Sequence, residues 1–298
     1  MAFIDSNIAR KNNLQNMHLK KAGNLPGGSP IFSHIEFNII NFCNRKCIFC
    51  PKSNKDYPND FKAMSHETYC KILKDLQKIK YTGGLSFSGF SEPLLHKDVL
   101  KFISSSKEIL PDSRIEIITN GDPLNPELIQ SLFDAGLNTL LISMYDGPEQ
   151  ILHFEEMISK TNINPEKIIL RKRYLSAEEQ FGINLSNRAG LVNLKVKGIK
   201  VKALEEPMKN PCYYVHYRTM IDYTGDVLLC PHDWIKKTIL GNIKKESIVD
   251  IWTNENTTKL RKRLGNGDRN FYPCKVCDVM GTRQGEEHFK AWEKFYKK

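Results

Sequence analysis

Several things are scarce or missing in this 298-residue chain. No apolar run approaches the ~20 residues that a membrane-spanning helix needs. The opening MAFIDSNIARKNNLQ has no apolar signal-peptide core, so it reads as a mature cytoplasmic start. There is no internal repeat, and 40% hydrophobic with 26% charged residues excludes wholesale disorder. Cysteine is sparse: eight residues are too dilute for a disulfide scaffold. Acidic residues are outnumbered 34 to 44 by basic ones, which leaves a formal charge of +10. The excess is spread out, and the runs at 195–202 and 259–263 are too short for a nucleic-acid-binding arm. They read as a soluble basic surface, with an anionic substrate or nucleic acid as the sharper alternatives.

What is present alternates. Ile35–Ile40 reads as a buried strand. Ser65–Lys80 reads as a helix with a Ser cap, Glu67 behind it and apolar residues at helical spacing. Strands at Leu85–Ser88, Arg114–Thr119, Thr139–Met144 and Lys167–Tyr174 interleave with helices at Lys97–Leu110, Pro126–Ala135 and Pro148–Ser159, and Phe181–Asn187 reads as a sixth strand. This pattern predicts right-handed βαβ units and a parallel sheet. The count is too small for eight-fold closure, so the expected fold is α/β, a partial (β/α)6 TIM-like barrel, with ligands at the carboxyl ends of the strands. After residue 206 the texture changes to a hairpin around Tyr223-Thr-Gly225, a helix at Ser247–Arg263 and a last helix at Glu286–Tyr296. The expected division is an N-terminal extension (1–33), a barrel (34–206) and a small C-terminal β-hairpin and helix domain (207–298).

The cysteines fall in two groups. Cys43, Cys47 and Cys50 lie within eight residues on the loop after the first strand. Three thiolates without a nearby histidine are one ligand short of a structural zinc site, but they suit a [4Fe–4S] cluster with one open iron. Cys212, Cys230, Cys274 and Cys277 are separated by 17, 43 and 2 residues. Four thiolates saturate either Zn²⁺ or a [4Fe–4S] cluster, and spacing alone does not choose. Cys70 is left over, in a helix, and reads as a packed bystander.

The first group resembles the signature of the radical S-adenosylmethionine (radical SAM) family, with Phe49 at the family's usual aromatic position. Ser88-Gly89-Phe-Ser-Glu92 resembles the family's "GGE" motif, with Ser91 in place of a glycine. Thr119-Asn120 resembles its ribose motif, and Ser143 and Arg171 occupy strand ends where the family contacts SAM. The second group, with its intervening Gly241-Asn-Ile243 and Trp252, resembles the SPASM/twitch extension of that family. Only four cysteines occur there, which corresponds to the shorter arrangement with one fully ligated auxiliary cluster.

The resemblance implies SAM, a SAM-binding [4Fe–4S] cluster on three cysteines and one auxiliary [4Fe–4S] cluster on four. It implies reductive cleavage of SAM to a 5′-deoxyadenosyl radical and hydrogen-atom abstraction from a small-molecule substrate. An external one-electron reductant such as flavodoxin or ferredoxin would supply the electron; neither membrane nor nucleic acid is expected as a partner. An acceptor beside the substrate favours oxidation of an alcohol of a small polyol or sugar, phosphorylated or nucleotide-linked forms included. Peptide epimerisation or crosslinking is the alternative, and a non-catalytic zinc protein that binds nucleic acid is a remote third. Tyr145, Asp146 and Arg188 are the candidate substrate-binding residues, with Arg188 suited to an oxyanion.

Overall fold

The computed structural model describes residues 7–298; the first six residues of the expected N-terminal extension lie outside it. Five parallel strands form the heart of the sheet: β1 (His34–Asn38), β2 (Gly84–Phe87), β3 (Arg114–Thr119), β4 (Thr139–Met144) and β5 (Ile168–Lys172). They alternate with helices α2 (His66–Lys78), α3 (Val99–Ile109), α4 (Pro126–Asp134) and α5 (Glu149–Ser159), all preceded by α1 (Asn7–Ala22). The cap expected for α2 is present, with Ser65 Oγ accepting from the Thr68 N–H at 3.2 Å. After β5 come a small hairpin, β6 (Leu194–Val196) and β7 (Ile199–Val201), and α6 (Tyr214–Tyr217). The chain ends with β8 (Arg218–Asp222), β9 (Asp226–Leu228), β10 (Ile239–Asn242), α7 (Ile248–Thr253), α8 (Glu255–Gly265) and α9 (Glu286–Tyr296).

The strand order is β10-β9-β8-β1-β2-β3-β4-β5. The sheet is a partial barrel, open rather than closed. Its sixth parallel strand is not 181–187 but β8, which pairs with the free edge of β1 from His34↔Arg218 to Asn38↔Asp222. The C-terminal hairpin therefore extends the barrel sheet. Residues 180–182 instead form a 3-10 turn with Gln180 and Phe181 in left-handed backbone. The alternation of Phe181, Ile183 and Leu185 has another use: these side chains join Phe49, Val192, Leu194 and Val201 in a small second core. The basic run at 195–202 is likewise the β6–β7 hairpin, turning at Lys197-Gly198, both at positive φ. The helix expected over 247–263 breaks at Asn254, whose side chain caps α8 through the Thr257 N–H at 2.7 Å.

Strand periodicity sorts the two faces of the sheet. Ile35, Phe37, Leu85, Phe87, Ile115 and Ile117 are fully buried against α2 and α3. The alternate residues His34, Glu36, Ser86 and Glu116 are also buried, but they make a polar lumen. His34 Nε2 lies 2.9 Å from Ser86 Oγ, and Arg218 bonds to Glu36. Helix α1 covers this lumen. It has no apolar stripe and buries polar side chains, among them Gln15 and His18, which apolar periodicity does not register. It reaches the C-terminal helix through His18, Ser33 and His288, with contacts of 2.8 and 2.6 Å at Ser33 Oγ.

Glu116 anchors α1. Arg10 and Arg114 approach it at 2.8 and 2.7 Å, and Lys11 at 3.5 Å. Burial works against its charge, but these three cations outweigh burial and hold the carboxyl well below the usual carboxylate range. Replacing it by alanine leaves three half-buried cations without their shared partner, so Glu116→Ala should destabilise by about 2 kcal/mol at pH 7. The folded value is depressed, so this contribution is complete above the unfolded value of about 4.3 and is lost as pH falls. Melting curves at pH 7 and pH 4 should show the gap between wild type and variant narrowing at the lower pH.

Candidate active site

The loop after β1 carries the first three thiols, and ionic and hydrogen bonds fix its shape. Asn59 holds Cys43 on both sides, accepting from its N–H at 2.9 Å and donating to its carbonyl at 3.0 Å. The buried Lys52 ammonium donates to the carbonyls of Asn41 and Pro58 at 2.5 and 2.6 Å. Arg45 reaches across to the strand ends. It bonds Asp122 after β3 at 2.5 and 2.7 Å and Asp146 after β4 at 2.6 and 2.7 Å. The loop, β3 and β4 are thus tied by one guanidinium.

Cys43, Cys47 and Cys50 all line one cavity of about 390 Å³. Burial raises their thiol pKa values, Cys47 to about 12, and for Cys47 its two neighbouring cysteines add to the effect. Such thiols are poor anions on their own and good ligands for a cationic core, which inverts the local electrostatics.

The segment after β2 faces them. Gly89 has φ +109°, and a Cβ there would meet Met220 Cε at 2.9 Å, so only glycine fits. Asn38 ties the segment to β1 by accepting from the Phe90 N–H at 3.0 Å and the Ser91 hydroxyl at 2.8 Å. Ser88 donates to Glu36 at 2.6 Å. Glu92 is buried and accepts from the Leu94 N–H (3.1 Å), the Thr119 hydroxyl (2.8 Å) and the Asn120 N–H (2.7 Å). Burial pushes its pKa up to about 7 against those three donors. The Asn120 amide donates to Asn44 Oδ1 at 2.7 Å, so the third strand end also touches the cysteine loop. Arg171 donates to Ser143 Oγ at 2.8 Å across β5 and β4. Phe49 packs on Tyr145 and Phe181 at 6.2 and 5.3 Å.

The second four thiols converge at the other end of β8. Cys212 precedes α6 and Cys230 follows β9, so both flank the amino end of that strand; not every motif lies at a carboxyl end. With Cys274 and Cys277 they line a second small cavity. Burial raises all four thiol pKa values, Cys277 to about 12. Arg269, buried beside them, donates to the carbonyls of Pro211, Val279 and Met280 at 2.7–2.8 Å and so clamps the strands of chain that carry Cys212 and Cys277. Tyr214 and His232 line both cavities, so one wall separates the two thiol sets. Among the described residues no three such side chains close on a point that a single ion would occupy. Three thiols at one cavity and four at the other are the donor sets that a [4Fe–4S] cluster with one open iron and a fully ligated one would use.

Residues 37–173 match the radical SAM superfamily, and residues 212–278 match the SPASM iron–sulfur cluster-binding domain. The chain carries a radical SAM domain followed by a SPASM domain. It is similar to the S-adenosyl-L-methionine-dependent 2-deoxy-scyllo-inosamine dehydrogenase of Niallia circulans, at 27% identity over 87% of this chain and 97% of that one. Among solved structures it resembles BtrN in complex with AdoMet and 2-DOIA, with a TM-score of 0.70 and 26% identity over 87% and 98% of the two chains. The likeness to BtrN in an open conformation is lower, with a TM-score of 0.62 at 27% identity over 87% and 97%. Radical SAM chemistry requires SAM and a [4Fe–4S] cluster, and the SPASM domain binds auxiliary clusters.

Of the candidate substrate residues, Tyr145 and Arg188 line the large cavity. Asp146 does not: it is exposed and committed to Arg45. Cys70 lies on α2, 3.4 Å from His66 Nε2, and does not line the cavity. His96 bonds the Met64 carbonyl at 3.0 Å and is structural. Arg45, Lys52, Arg269 and Asn38 were not legible as site residues, because each acts on a partner distant in sequence.

Anaerobic reconstitution should give about eight irons per chain, and about four after Cys43→Ala or Cys230→Ala, measured by iron and sulfide analysis. A colourless protein with stoichiometric zinc would contradict this assignment.

Proposed function

We propose that this protein is a radical SAM oxidoreductase that oxidises a secondary alcohol of a small polyol or sugar. One observation carries the reading: a single cavity lined by the three-thiol set shares a wall with a four-thiol set. Likeness over nearly the whole chain to a dehydrogenase of a small cyclitol supports it. Cys43, Cys47 and Cys50 would hold the SAM-binding cluster, and Cys212, Cys230, Cys274 and Cys277 the auxiliary one. When bound, these groups supply hydrogen-atom abstraction from an unactivated C–H and a nearby one-electron acceptor.

The chain's own residues supply placement. Phe49 and Tyr145, with Phe181 packed on Phe49, offer the cavity an apolar surface suited to an adenine. Glu92, aimed by Thr119, Asn120 and Leu94, suits an ammonium group. The Arg45 fork keeps the thiol loop in register with these strand ends, as positioning at the reacting carbon requires. Converting an alcohol to a ketone removes a hydrogen atom from carbon, a proton from oxygen and one electron.

With deuterated cyclitols and sugars, label should appear in 5′-deoxyadenosine. Label that moves only from a peptide would overturn the reading. Glu92 gives a separate check. Its carboxylate form prevails above about pH 7, while an α-ammonium persists to about pH 7.7. SAM affinity measured by equilibrium binding should therefore rise from pH 6 towards pH 7.5. Glu92→Gln should bind about tenfold more weakly, the loss of one charge-assisted bond, and lack that rise.

A further inference from the structure

Seven lysine and arginine side chains line the large cavity against two carboxylates, Glu36 and Glu92. Several of these cations are already matched. Arg45 holds two aspartates, Arg218 bonds Glu36, and Lys11 faces Glu116. Lys52 stands beside Cys43 and Cys50. Arg188 differs. Among the described residues its hydrogen bond is to His232 Nδ1, at 3.3 Å, and no carboxylate pairs with it. Asp278, which feels its charge, is occupied by the Asn187 N–H at 2.9 and 3.0 Å.

The backbone that presents this guanidinium is strained. Arg188 and Ala189 have φ of +46° and +54°, followed by Gly190 at +88°. Two successive non-glycine residues in left-handed backbone cost energy and persist only where neighbours over-determine them; ligand clamps are a common setting. Here Asn187 does so. Its fully buried amide donates to the carbonyls of Lys202 and Val276 at 2.9 and 2.6 Å, and its carbonyl accepts from the Val192 N–H at 2.9 Å. Ala189 is buried beneath, against the second thiol cavity. The strained turn sets Arg188 in the cavity wall, near Cys50 on one side and bonded to His232 on the other.

We propose that Arg188 binds a phosphate group on the substrate, so that the alcohol oxidised belongs to a phosphorylated polyol or sugar. This rests on the polyol reading above. A guanidinium offers a planar fork of donors that matches two phosphate oxygens. A dianion there would also offset the positive excess of the cavity wall.

The test uses reconstituted holoenzyme with SAM, and inorganic phosphate as probe in calorimetry. Wild type should bind phosphate saturably. R188A should bind at least tenfold more weakly and R188K should recover part of the loss, while iron content and melting temperature stay at wild-type values. Lys62→Ala, at an exposed lysine outside the cavity, should bind as wild type does. If R188A loses iron, R188Q carries the comparison. No saturable phosphate binding by wild type, or equal binding by wild type and the neutral variant, overturns the proposal. Tighter binding of a carboxylate than of phosphate also overturns it. Paired deuterated substrates then separate the two readings. Label from the phosphorylated member alone supports Arg188 as a phosphate site. Label from the uncharged member alone overturns this proposal and leaves the polyol reading intact. Label from neither overturns the polyol reading, and calorimetry still decides Arg188.

Discussion

Strand β1 is hydrogen-bonded in parallel on both edges, to β2 on one side and β8 on the other, and the site depends on that pairing. The first thiol loop leaves the carboxyl end of β1. The second thiol set gathers at the amino end of β8, one strand over. The two sets are therefore held at opposite ends of neighbouring parallel strands. The cavity lies along the polar face between them. Side-chain bonds lock the same pairing: Arg218 to Glu36, and Asn38 to Asp222 at 2.5 Å. A slip by one residue would turn the polar lumen outward and the apolar residues in.

The lumen is costly to build, since buried charges are stable only when paired and hydrogen-bonded. The protein meets this by sharing. Glu116 serves three cations, and Glu92 serves three donors from two strand ends. Each hub also joins elements that carry site residues, so satisfying a buried charge and aligning the site are one act. Perturbing such a hub displaces several groups together rather than one.

Much of this was legible in the sequence because it is local. The Cys43-x3-Cys47-x2-Cys50 spacing, the Ser88–Glu92 segment, the Ser65 cap and the alternation of strands with helices all lie within short windows. What escaped has long reach. The sixth parallel strand was assigned to Phe181–Asn187 because its alternation suits a strand, yet those side chains bury in a local cluster around Phe49. The real partner of β1 comes from 184 residues further along. Helix α1 was missed because it buries amide and imidazole groups where periodicity looks for apolar ones. Arg45 and Arg269 carry no motif; their partners decide their roles.

The docking of α1 also bears on the order in which the molecule can be completed. Its contacts run to the far end of the chain: Gln284 donates to the Ile8 carbonyl at 3.1 Å, Gly285 to Asn12, and Ser33 meets His288. A chain emerging from the ribosome amino end first has made α1 long before those partners exist. The barrel strands and both cysteine-bearing segments precede α9 in synthesis. Contacts of such sequence separation form late and slowly. Helix α1 can find Glu116 as soon as β3 is made, but its contacts with α9 close only when the whole chain, both cysteine-bearing segments included, has been synthesised.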